Sequence, residues 1–455
     1  MIVKPAKAFS KAFTQKILER TYDSYLGTSK TIGLDRVSAE NFAANLKIEA
    51  ALIAKKVAAQ TYKFTAYRQR LISKGADRPP RVLSIPTIRD RLTLRTLCDF
   101  LIAAFPSASG DIAQVKIAEL GKAMATGKYT HFIKIDVEQF YPSISHKKLL
   151  TKIRKRVRKK EALSLLSSAI TNPTASEKTG GKGAIAVTKG VAQGLSISNA
   201  LAEIYLQDFD KLFDSNPNIF FLRYVDDVLV LCDDQFPSIE KQIFSALSSL
   251  GLSAHDVEKQ GGKSKHGGIS AGFDYLGYSF EDGRVSVRRS SVLALEHSIV
   301  KIFTSFKHSM ARSKTEDERI VAKARLLWHL NLRITGCIYK GQRLGWVFYF
   351  SQLTDTGVLR GIDSTVETLL KRFKVSNEIK PKRVLNVFYE SARIDKSTHA
   401  YIPNFDETSV ADQVSILMAL GFPVIGKSAA QISNMFRKKV GAAVSDLEKD
   451  LQQLS

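Results

Sequence analysis

Three aspartates stand where acids gain nothing from the core. Asp136 ends an apolar run that alternates as a strand, and Asp226 and Asp227 interrupt another apolar stretch over residues 220–231. That second stretch fits two strands joined by a tight turn. Two strands of one sheet can bring the three carboxylates together, where they would repel one another. A divalent cation resolves the repulsion, and magnesium prefers one or two carboxylates completed by substrate phosphates and water. Two such ions roughly 3.5–4 Å apart form a clamp for in-line displacement at phosphorus. Taken alone, Asp226-Asp227 reads more simply as a hairpin turn, since Asp is a common turn residue. Asp233-Asp234 serves as a control: it has no strand-end partner and reads as a solvated loop.

The elements expected to position these acids are mixed. Residues 1 to about 70 are helical in pattern, with Phe42, Leu46, Ala50 and Ile53 on one apolar face. Arg81 to Pro86 reads as a short strand, followed by a helix from Arg89 to Leu101. Residues 130–136 read as a strand, and residues 146–160 as a very basic helix. Residues 171–190 read as a loop, and a helix starts near Ser196 or Ser198 with Leu201, Ile204, Tyr205 and Phe209 inward. A second hairpin falls in residues 273–287 with Asp282-Gly283 as its turn. Beyond residue 288 the pattern is helical. The expected fold is α+β, with three regions: 1–125, 126–287 carrying the acids, and an α-helical 288–455.

The chain of 455 residues has 68 Lys and Arg against 44 Asp and Glu, a formal charge of +24. So basic a protein needs a polyanionic partner, either nucleic acid or an anionic membrane surface. No apolar run approaches the ~20 residues that span a bilayer, and the first residues lack a signal-peptide core, so no membrane partner is expected. Cys98, Cys232 and Cys337 form neither a metal pair nor a disulfide framework. A cytoplasmic location is the expectation.

Four runs around the acids resemble the motifs of reverse transcriptases. Tyr224, Val225, Asp226 and Asp227, within Phe221-Leu-Arg-Tyr-Val-Asp-Asp-Val-Leu-Val230, are similar to the YxDD motif. Lys134-Ile-Asp-Val-Glu-Gln-Phe-Tyr-Pro-Ser-Ile-Ser-His146 resembles the first catalytic motif. The run from Gly190 through Gln193-Gly194 to Leu206 resembles the Gln-Gly motif and its helix. Phe273-Asp-Tyr-Leu-Gly-Tyr-Ser-Phe280 resembles the primer-grip hairpin. They occur in the family's order across roughly residues 30–285, and four in order weigh far more than one.

The resemblance implies a right-hand polymerase, with fingers and an antiparallel palm sheet followed by an α-helical thumb-like region for RNA binding or assembly. It implies an RNA-directed DNA polymerase that uses two Mg2+ ions, with Mn2+ able to substitute, and dNTPs. Asp136, Asp226 and Asp227 become the catalytic acids, and the metal site comprises these with Val137. Arg81 matches a fingers arginine on the triphosphate, with Lys74 or Arg78 as a second charge, although an ordinary solvated loop explains those two equally well. Tyr141 matches an aromatic under the nucleotide sugar that excludes a 2′-hydroxyl; a buried core ring is the other reading. The 2′-hydroxyl is the handle that separates RNA from DNA. Gln193 lies by the incoming nucleotide, Gly194, Tyr224, Leu276 and Gly277 along template and primer, and Lys259 is the candidate for the lysine after the YxDD hairpin.

Two departures stand out: Ala192 replaces the usual proline before Gln193, and residues beyond 288 match no familiar thumb or maturase domain. Residues 85–91, Ile-Pro-Thr-Ile-Arg-Asp-Arg, look like group II intron enzymes. Gly194-Leu-Ser-Ile-Ser-Asn199 looks closer to bacterial defence-associated (abortive-infection and unknown-group) enzymes, which protect bacteria from phage. That group commonly copies a small noncoding RNA and some members form homo-oligomers; others extend DNA without a template. Retron and intron enzymes are the rivals, and an RNA-binding scaffold on the same fold is the non-catalytic alternative. Within residues 147–160, Lys152, Arg154, Arg156 and Arg158 are candidates for RNA phosphates, as against a solvated surface helix. The basic runs 371–374 and 380–383 fit RNA binding or solvated helix ends equally. The aromatic and apolar residues of 330–336 and 345–350 fit helix-core packing better than base stacking.

Overall fold

The alternation of residues 131–138 sets the architecture around the acids. The computed structural model describes residues 4–27, 29–73, 79–181, 183–234, 236–257, 263–392 and 401–452. The chain divides into two units, one of residues 1–111 and 128–267, the other of residues 112–127 and 268–455.

In the first unit, strands β1 (Tyr67–Ile72), β2 (Arg81–Ile85) and β4 (Thr174–Ala175) form one sheet in the order β2-β1-β4, with β3 (His131–Glu138) elsewhere in the unit. The second sheet contains β3, β5 (Phe220–Tyr224), β6 (Asp227–Cys232) and β7 (Ser253–Ala254) in the order β5-β6-β3-β7, and β8 (Lys265–Gly268) also pairs with β3. Phe132, Ile133, Ile135 and Val137 are buried along β3, and residues 228–232 of β6 are buried without interruption. A central strand covered on both faces reads as a continuous apolar run. Two amphipathic helices supply apolar faces to the same core. Ser198–Asp214 contributes Leu201, Ile204, Tyr205 and Phe209, and Phe236–Leu250 contributes Ile239, Ile243 and Leu247. Each fully buried aliphatic side chain contributes roughly 1.5–3 kcal/mol before entropy is charged against it.

The N-terminal helices Pro5–Ala12, Gln15–Tyr25 and Leu46–Ala58 join this core through the helix Ile88–Ala104, with Phe9 and Phe100 edge to face at 5.0 Å. The Ile-Pro-Thr-Ile-Arg-Asp-Arg motif is absorbed here as a clamp. Thr87 caps the helix, Asp90 accepts from the Tyr62 hydroxyl at 2.7 Å, Arg89 pairs with Glu49 at 2.6 Å, and Arg91 donates to Ser29 at 2.7 Å. Burial pushes the Asp90 carboxyl up to about 6 although three donors face it.

In the second unit, β9 (Phe273–Tyr275), β10 (Tyr278–Glu281) and β11 (Arg284–Val287) form an antiparallel meander. Long helices follow, including Arg289–Arg312, Glu316–Thr335, Gly357–Arg372 and Ala429–Gln452, the second opened by a Thr315/Glu318 capping box. Helix Ala113–Ala125 belongs to this unit, where Gln114 reaches the Phe348 carbonyl. The dense runs near 330 and 346 are packing: Leu330, Ile334, Trp346, Val347 and Phe350 are all buried. Among the described residues, no helix is long and apolar enough to cross a membrane.

Some local expectations change. The basic helix expected over 146–160 ends at Arg154, because Val157 turns inward and a new helix starts at Lys160. A hairpin of β12 (Cys337–Tyr339) and β13 (Gln342–Leu344) interrupts the helical C-terminal region.

Candidate active site

Backbone pairing alone brings the acids together. Asp136 of β3 lies opposite Asp227 of β6 in the antiparallel register, and Tyr224 pairs with Asp227 across a two-residue turn, Val225-Asp226. The Val137 amide donates to the Asp226 carbonyl at 3.4 Å. Val137 itself has a buried side chain, so its backbone carbonyl is the donor it can offer a ligand.

The carboxylates are unequal. Burial, and then the Asp136 charge, raise the Asp226 carboxyl above its ordinary range. Burial pushes Asp227 up to about 6, opposed by Lys134 and reinforced by Asp226 and Asp136. Asp136 is tied instead to cations and donors. Its Oδ2 accepts from Lys263 Nζ at 2.8 Å and faces His255 Nε2 at 3.2 Å, and its amide donates to buried Ser264 Oγ at 3.1 Å. The other ring nitrogen of His255 faces Glu138 at 3.1 Å.

These are hard oxygen donors, two facing each other on one rung of the sheet and the third in the turn beside it, and Asp226 and Asp227 are unfavourable as anions where they stand. That suits a hard divalent cation. Among the described residues no group of three or more His, Cys, Asp or Glu side chains is gathered closely enough to enclose an ion unaided. Phosphate oxygens and water would have to complete the coordination, as magnesium sites ordinarily require.

A second set of residues frames the acids. Tyr141 donates its hydroxyl to Asn199 Oδ1 at 2.6 Å, and its carbonyl accepts from the Val191 amide at 2.8 Å. The ring is partly buried against the core and burial drives its hydroxyl well up, with Asp226 the next cause. The ring therefore packs against the core, with its hydroxyl held by Asn199. Arg81 is exposed and close enough to bias both Asp226 and Tyr141.

Strand β2 is stapled to the Gln-Gly loop, with the Ser84 amide donating to the Gln193 carbonyl at 2.8 Å. Gly194 has φ +97°, and a Cβ there would lie 3.1 Å from the Ser84 carbonyl oxygen. Only glycine suits both conditions. Gly194→Ala is expected to part β2 from the loop and to lower Tm, since the added Cβ is strained at this φ and meets the Ser84 carbonyl. A thermal melt of the variant checks this.

Lys74, Arg78 and Lys259 lie outside the described residues. The lysine brought to Asp136 is Lys263, which the sequence reading missed together with His255. Their signal was weak, because β7 is two residues long and nothing in Ser253-Ala254 announces its pairing with Val137 and Glu138. Leu276 and Gly277 form the turn between β9 and β10, with φ +47° and +82°. That turn is held by the Tyr349 hydroxyl on the Leu276 carbonyl at 3.2 Å and the Arg288 amide on the Gly277 carbonyl at 2.9 Å.

Of the basic candidates, Lys152 is committed to Asp208 at 3.0 Å and the Tyr205 carbonyl at 2.6 Å. Arg154, Arg156 and Arg158 are exposed, Arg156 lying over the Phe105 ring. In the run 380–383, Lys382 bonds the Tyr401 carbonyl and Arg383 pairs with Glu367 at 2.7 Å. Asp233 and Asp234 are exposed, as expected of a loop.

Comparison with known proteins gives the following. Residues 72–280 match the family model for reverse transcriptase (RNA-dependent DNA polymerase). No curated protein matches the chain by sequence. Among solved structures, apo telomerase from Candida tropicalis truncated from its C-terminal domain is similar at TM-score 0.39 and 16% identity, over 50% of this chain and 55% of that one. Telomerase from Candida albicans in complex with a TWJ fragment of telomeric RNA is similar at TM-score 0.43 and 15% identity, over 91% of this chain and 65% of that one. The chain spans between about half and two thirds of the length of these structures.

Proposed function

We infer, from a chain that carries a reverse transcriptase domain over residues 72–280, that it is an RNA-directed DNA polymerase that extends a primer from dNTPs. The observation that carries this is the register Asp136 opposite Asp227, with Asp226 in the turn beside them. Two divalent ions, Mg2+ or Mn2+, held by Asp136, Asp226 and Asp227 with the Val137 carbonyl, would activate the primer 3′-hydroxyl and neutralise the leaving pyrophosphate.

The remaining roles fall to the chain's own groups. Arg81 offers a guanidinium fork to the triphosphate, and Gln193 and Gly194, tied to β2, border the nucleotide and template. Tyr141, fixed through Asn199 and Val191, leaves no room for a 2′-hydroxyl. Tyr224, Leu276 and Gly277 meet template and primer. Exposed Arg154, Arg156 and Arg158 neutralise RNA phosphates without reading sequence, and the charge of +24 supports such a partner.

The finer reading is that the template is a dedicated noncoding RNA and the setting is antiphage defence in a bacterial cytoplasm. The Leu195-Ser-Ile-Ser-Asn199 stretch supports it. Sequencing the nucleic acids that co-purify with the protein tests both levels. One small RNA with complementary DNA is the expected result. A homopolymer or short-repeat DNA would refute templated copying, and an intron or retron transcript would overturn the defence setting.

A further inference from the structure

The residue before the YxDD tyrosine is a buried arginine with every donor engaged. Arg223 lies on β5 with its side chain 4% exposed. An arginine has five N–H donors. Here Nε and Nη2 bond the two carboxylate oxygens of Asp210, each at 2.6 Å. Nη2 and Nη1 bond the two oxygens of Glu203 at 2.5 and 3.1 Å, and Nη1 also bonds the Val225 carbonyl at 2.8 Å. Glu203 and Asp210 lie two turns apart on one face of the helix Ser198–Asp214, the helix that also supplies Asn199 to the Tyr141 hydroxyl.

The fifth bond falls on the residue that most needs holding. Val225 has φ +56°. A two-residue turn with positive φ at its first central position normally takes glycine there, and a β-branched residue in that region is strained. Buried ion clusters are weak evidence for stability, because desolvation offsets the Coulombic gain. Stability alone therefore does not account for two carboxylates and one guanidinium under this turn.

We propose that Arg223 is a positioning residue: with Glu203 and Asp210 it locks the Val225 carbonyl, and so fixes where the turn presents Asp226 and Asp227. The proposal rests on the reading of those aspartates as metal ligands. Lysine at 223 keeps the charge but cannot serve both carboxylates and the carbonyl in one plane.

The test compares the wild type, Arg223→Lys, Arg223→Met and Arg223→Lys/Val225→Gly. Mn2+ affinity is measured from the free-ion electron paramagnetic resonance signal. Primer-extension turnover and Tm are measured beside it. Arg223→Lys is expected to weaken Mn2+ binding about tenfold and lower turnover about 100-fold, with the KM for primer–template within about threefold. Adding Val225→Gly, which holds positive φ without strain, is expected to restore turnover at least about tenfold. Wild-type Mn2+ affinity and turnover in Arg223→Lys would overturn the proposal. So would losses that merely track a lowered Tm and show no recovery with glycine. If Arg223→Met does not fold, the lysine pair still decides the matter. A wild type that binds Mn2+ and incorporates no nucleotide counts against the polymerase, while the Mn2+ comparison still judges Arg223.

Discussion

Replacing Asp226 and Asp227 together by alanine is expected to abolish nucleotide incorporation while leaving the fold intact. Metal ions at these carboxylates are asked to supply several kcal/mol of transition-state charge stabilisation. At about 1.4 kcal/mol per factor of ten, losing them lowers the rate by at least about 10³-fold. The same change should not lower Tm in metal-free buffer. Both carboxyls are raised by burial and by neighbouring acids, so as anions they oppose folding at neutral pH. A ligand that binds only the folded state raises Tm; Mg2+ should therefore raise the Tm of the wild type and not that of the double variant. Thermal scans with and without Mg2+, beside incorporation assays, check both halves. Robust incorporation by the double variant would sink the assignment of these acids.

The second large effect concerns sugar selection. Tyr141→Ala should admit ribonucleotides, lowering the preference for dNTP over rNTP by about 100-fold, or ~3 kcal/mol. The reason is steric and geometric. The ring is held by its hydroxyl on Asn199 and its backbone on Val191, and on the proposed role it should not swing aside for a 2′-hydroxyl. Asn199→Ala should produce a smaller change of the same sign, because it frees the ring without removing it. The ratio of kcat/KM for dNTP and rNTP is the measurement. An unchanged ratio in Tyr141→Ala would return that residue to a packing role.

The legibility of these features followed the range of the interactions that create them. Strand β3, the β5–β6 hairpin and the helix at Ser198 were readable because alternation, a turn acid pair and an apolar helical face are local signals. The mutual approach of Asp136 and Asp227 was readable only as a consequence of placing both strands in one sheet. Lys263 and His255 were not readable. They reach Asp136 through β7, a two-residue strand, and through the Ser264 hydroxyl, and neither feature has a sequence period. Arg223 passed as part of the YxDD run, because its partners Glu203 and Asp210 look like the polar face of an ordinary amphipathic helix. The basic run after His146 misled in length, since charge composition does not show that Val157 turns into the core and ends the helix early.

The central claim is that Asp136, Asp226 and Asp227 serve templated DNA synthesis on RNA. Primer extension on an annealed RNA template and DNA primer, with dNTPs and Mg2+, tests it most directly when the product is sequenced. The account predicts DNA complementary to the RNA, made by the wild type and not by Asp226→Ala/Asp227→Ala, and lost on chelation of the metal. A product unrelated to the template, or no product from the folded, Mg2+-loaded wild type, would contradict it.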